Sequence, residues 1–131
     1  ELMKQHPLQT AGRVRLPYTR RRSDARCITS LSRLPDVPEL NSYDPEFFTG
    51  HALLLVTDTT ASGSLPPILH TADITGGHGT VRLQSPLLAR NQCVTQDMAT
   101  WLLWAEVPVS WADLSWAVAN PALPPERLSL Y

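Results

Sequence analysis

Lysine is almost missing from this chain of 131 residues: Lys4 stands alone among eleven basic side chains. Cysteine is equally scarce. Cys27 and Cys93 lie far apart and form no C-x-x-C pair, so neither zinc-ribbon nor thioredoxin-type chemistry has a motif to rest on. No apolar run approaches the ~20 residues that would cross a bilayer as a helix. Charged residues make up only 18% of the chain and hydrophobic ones 43%, which excludes wholesale disorder, a coiled coil and a collagen. Glu1-Leu2-Met3-Lys4 leads into no apolar signal segment, and the expectation is a trimmed chain or a mature fragment, from which a leader could have been removed.

What is present is unevenly placed. Residues 1–33 carry eight of the eleven basic residues and two acids, a net of +6, while residues 34–131 carry three basic and ten acidic residues, a net of −7. Twelve prolines punctuate the chain. A chain of this length is one domain and buries roughly two-thirds of its unfolded surface, so it needs no metal or disulfide to fold. The expected organisation is a flexible N-terminal arm over 1–12 and a single β-rich domain over 13–131.

Hydrophobic periodicity gives the elements. Val14, Leu16 and Tyr18 alternate with Arg13, Arg15 and Pro17, which predicts a half-exposed strand, placed at an edge because Pro17 cannot donate to a ladder. Cys27-Ile28-Thr29 suits a short strand, and 30–34 a helical turn ended by Pro35 and Pro38. Asp44-Pro45-Glu46 is a helix start, with Phe47 and Phe48 packing that turn on the core. Ala52-Leu53-Leu54-Leu55-Val56 is apolar at both parities and predicts a central strand buried on two faces. Ile68, His70, Ala72 and Ile74 alternate with Thr71, Asp73 and Thr75, a strand with one wet face, and Gly76-Gly77-His78-Gly79 turns it into a hairpin with Val81 and Leu83. Residues 91–97 read as a polar loop. Met98 to Val107 is a second long apolar strand with Trp101 and Trp104 on opposite faces. A short turn over 110–116 and a last strand over 127–131 complete the reading. Short strands at this spacing predict a mostly β (α+β) fold, a two-sheet sandwich or partly open barrel with one or two short helical turns.

Chemistry-bearing clusters are few. His70, Asp73 and His78 span the hairpin and make a small metal-dependent hydrolase one alternative, although zinc wants three or four convergent ligands and no reliable third is specified. No G-x-S-x-G elbow sets up a serine nucleophile, and nothing places a base beside Cys93. Gly76 to Gly79 lacks the G-K-[ST] ending of a phosphate loop. Arg20-Arg21-Arg22 makes a polyanion binder a further alternative, but the acidic remainder of the chain opposes nucleic acid, and pairing of the arginines with that remainder is preferred. Trp111 and Trp116 form either an exposed binding patch or a cover for one end of the fold. Cys27 and Cys93 are either one long-range disulfide or two buried thiols. The flexible Ser62-Gly63-Ser64 loop is the remaining binding candidate.

Two segments resemble a known group. Tyr43-Asp44-Pro45-Glu46-Phe47-Phe48 followed by 52–56 resembles the "YDxxFF, then strand" signature of small secreted lipoproteins from gut Gram-positive bacteria. Asp97-Met98-Ala99-Thr100-Trp101, with Cys93 before it, resembles the "C...DMAxW" segment of the same group. The order of elements over roughly 26–109 is similar to domains of the PrcB C-terminal type. The resemblance implies an extracytoplasmic, lipid-anchored, non-catalytic domain at the cell surface, without a cofactor. The expected function is therefore a non-enzymatic interaction domain, a protease accessory or inhibitor-like module. Its expected partner is a protein or cell-envelope component, with membrane contact only through a lipid anchor outside this sequence.

Overall fold

The computed structural model describes residues 2–19, 23–60, 66–84 and 98–119. Its organising element is a pair of ten-residue antiparallel strands, β4 (His51–Thr60) and β7 (Ala99–Pro108), in register from His51↔Pro108 to Thr60↔Ala99. β2 (Gly12–Arg15) flanks β7 and β3 (Asp24–Ile28) flanks β4, giving a four-stranded sheet of order β2-β7-β4-β3. The second sheet has the order β1-β5-β6-β8, from β1 (Lys4–Pro7), β5 (Ile68–Thr75), β6 (His78–Gln84) and β8 (Ser115–Val118). The protein is thus mostly β, two sheets packed face to face, with 3-10 turns as its helical content among the described residues and no closed barrel.

The apolar run of β4 is explained by what lies on each side of it. Ala52, Leu54 and Val56 join Leu103, Ala105 and Val107 of β7 against Leu69, Val81 and Leu83 of the opposing sheet. Leu53 and Leu55, pointing the other way, join Leu102 and Trp104 beneath Val37, Leu40 and Phe48. The segment 29–50, built from 3-10 turns at Leu31–Arg33, Pro38–Leu40 and Phe47–Thr49, therefore forms a third layer on the outer face of the larger sheet. Its turns are set locally. Pro38 opens the second, and the Asp44 carboxylate accepts the Phe47 N–H at 3.0 Å before the third. The layer is fastened by the Tyr43 hydroxyl, which donates to Glu106 Oε2 at 2.8 Å. Trp104 is buried in this outer core, whereas Trp101 packs half-buried on the inner one, as strand alternation requires.

Several expectations need correction. The flexible arm over 1–12 is instead β1 and the start of β2: Lys4–Pro7 pair antiparallel with Ile74–Thr71, and Leu8 packs on the inner core. The open edge of β5 supplies the pairing that weak local patterning does not reveal. In β5 the alternation is broken by a bulge between Leu69 and Thr71, so Leu69 and Ala72 both face inward opposite Leu83 and Val81. Ile68 and His70 are left exposed, and Thr71 and Asp73 are buried rather than wet. β3 begins at Asp24, earlier than the Cys27 start read from sequence. The tail after the 3-10 turn Val109–Asp113 contributes β8, which runs parallel to β6 and was not expected as a strand. The loop at 91–97 and the last strand at 127–131 lie outside the described residues.

Candidate functional site

β3 is an edge strand, hydrogen-bonded to β4 on one side. Its alternation sorts its side chains cleanly. Ala25 and Cys27, opposite Val56 and Leu54, pack on the inner core, while Arg26, opposite Leu55, projects from the outer face. Along this strand runs a cleft of about 720 Å³. One wall is the run Arg26 to Thr29, Arg33 and Phe48 come from the outer layer, and the facing wall is the turn Val109–Asp113, which brings Ser110 and Asp113. Arg26, Arg33 and Asp113 are exposed, and among the described residues none of the three forms an ion pair.

Burial pushes the Cys27 thiol up to about 12, so it stays protonated at neutral pH and is a weak nucleophile. Cys27 is a free cysteine, and the proposed partner Cys93 lies outside the described residues.

The other candidates are dispersed. Asp73 is engaged by Arg82 Nε at 2.7 Å, and that charged hydrogen bond, ahead of opposing burial, holds its carboxyl below the usual range. His70 and His78 are exposed, and no group of three His, Cys, Asp or Glu side chains fit to hold a metal occurs among the described residues. Trp111 and Trp116 sit 5.7 Å apart at 36°, with Trp116 Nε1–H donating to the Trp111 carbonyl at 2.9 Å. Both pack on the inner core, and His6 lies 5.2 Å from Trp111, so the pair covers one side of the sandwich. Arg20, Arg21, Arg22, Ser62, Gly63 and Ser64 lie outside the described residues. Arg13, nearer the start of the basic segment, donates to the Pro67 carbonyl at 3.1 Å and sits 5.8 Å over the Trp101 ring.

Sequence reasoning missed the cleft because no motif spans it. Arg26, Arg33, Ser110 and Asp113 are joined only when β3 pairs with β4 and the turn after β7 folds back beside them. The one local signal is an arginine on each side of the apolar Cys27-Ile28 pair and its following turn. Comparison with protein-family models, with characterised proteins and with solved structures finds no match to this chain.

Proposed function

We propose that this chain is a non-catalytic interaction domain that holds an extended segment of a partner protein along β3. The observation that carries this reading is the cleft itself, whose wall is four consecutive residues at an edge strand, Arg26 to Thr29. β8 and the turn Val109–Asp113 pack close to β3, so the stretch left for an incoming strand is the one that lines the cleft, where backbone donors and acceptors hold it and flanking side chains select its sequence. The protonated Cys27 thiol and the engaged Asp73 carboxylate favour binding over catalysis. An extracytoplasmic, cell-surface setting and a protease-accessory or inhibitor-like role are supported by the likeness of 43–56 and 97–101 to secreted lipoproteins and to PrcB C-terminal-type domains. Hydrogen exchange in the presence of a short extended peptide tests the binding mode. Slowed exchange concentrated in 24–29 is expected, and protection confined to another part of the molecule overturns it.

A further inference from the structure

We infer that the segment held in this cleft is acidic where it meets Arg26 and Arg33, and lacks an acid where it meets Asp113. This rests on the reading of the cleft as a strand-addition site. Arg26 leaves β3 on the outer face, the face that also bears Asp24, and of these two charges it is Arg26 that lines the cleft. Arg33 reaches the same cleft from the 3-10 turn that follows β3. Both guanidiniums are without an ion pair among the described residues, and so is Asp113 across the cleft. Arg26 from the strand and Arg33 from the outer layer make one side of the cleft positive, and Asp113 from the turn makes the other negative.

Carboxylate is the chemistry these groups recognise best. A guanidinium presents a planar fork of donors that a carboxylate accepts bidentately, which an ammonium cannot match. Side chains of a strand added beside β3 would alternate, so acids two positions apart lie on one face of it. Asp113 repels a further acid on its own side and favours a neutral or basic residue there.

The test compares three short extended peptides of alternating valine and either Glu, Gln or Lys, titrated against the intact chain by calorimetry. The Glu peptide is expected to bind several-fold more tightly than the Gln peptide, with the difference shrinking as salt is raised. The double variant Arg26→Gln with Arg33→Gln is expected to erase the preference while leaving Gln-peptide binding in place, which shows that the fold has survived. Asp113→Asn is expected to strengthen Glu-peptide binding, a gain that a damaged fold does not produce. Equal affinity for Glu and Gln peptides, or a Glu preference that persists in the double variant, overturns the inference and leaves the strand-addition reading standing. Failure of all three peptides to bind overturns both.

Discussion

At Gly12 and Gly79 a methyl group has no room. A Cβ built on Gly12 falls 2.1 Å from the Trp104 indole, and one on Gly79 falls 2.6 Å from the Trp116 ring. Each glycine pairs directly with the tryptophan that crosses it, Gly12↔Trp104 between β2 and β7 and Gly79↔Trp116 between β6 and β8. The ring occupies the space over the neighbouring backbone that a side chain would otherwise fill. Gly12→Ala and Gly79→Ala are each expected to lower stability by about 1–3 kcal/mol, since a packed ring must move aside. Gly50→Ala serves as the control, because nothing lies within 4 Å of its Cβ position, and chemical denaturation of the three variants checks the contrast.

Cys27 makes a second prediction at this scale. Its thiol titrates near the ordinary value of 9.0 when the chain is unfolded and at about 12 when folded. Below 9 both states are protonated and the group is neutral to stability. Between about 9 and about 12 the unfolded state loses its proton first, so the folded state is progressively disfavoured as pH rises. In a Cys93→Ser background, alkylation of Cys27 at pH 8 should be far slower in the native protein than in denaturant. Equal rates would show that burial does not protect the thiol.

Among the elements, β4 has the most specific consequences, because its two faces serve different cores. Leu54 holds the two sheets together and Leu53 holds the 29–50 layer to the outer face. Both are fully buried, and truncation to Ala is expected to cost about 2–5 kcal/mol in either case. The difference lies in what loosens. Leu53→Ala should raise native-state hydrogen exchange in 34–48 with the inter-sheet core still protected, and Leu54→Ala should loosen β5 and β6. If both variants give the same exchange pattern, the three-layer description fails.

The same strand shows how far local pattern reaches. The unbroken run 52–56, the opposed Trp101 and Trp104, the Asp44 turn and the β5–β6 hairpin were all legible, because each is fixed by periodicity or by a nearest-neighbour turn. The bulge after Leu69 was not, since one inserted residue reverses the faces without altering composition. β1 and β8 were hidden for a different reason: they are four-residue strands whose partners lie far along the chain. The cleft was least legible of all. Its charges come from Arg26, Arg33 and Asp113, and only the tertiary fold makes neighbours of them.

For the molecule as a whole, the split between a basic beginning and an acidic remainder acquires a location. Of the basic residues described at the start of the chain, Lys4 sits on β1 at an edge of the second sheet, and the arginines sit on the edge strands β2 and β3 of the larger sheet and in the turn after β3. The acidic remainder supplies the centre of that sheet, its outer layer and most of the opposing sheet. Positive charge at exposed edges discourages edge-to-edge association of copies, a protection useful to a fold whose middle strand is as apolar as 52–56.

The pairing of Gly12 with Trp104 also bears on how the chain comes to its fold in time. Two strands separated by more than half of the chain must find each other, and β1 must likewise wait for β5. Such wide loop closures are entropically slow, so folding on the scale of milliseconds to seconds is expected, with stopped-flow tryptophan fluorescence as the readout. During synthesis β2 leaves the ribosome long before β7, the strand that seats it. Arg13 and Arg15 of β2 therefore stay accessible until residue 104 has emerged, a window in which a chaperone can hold them.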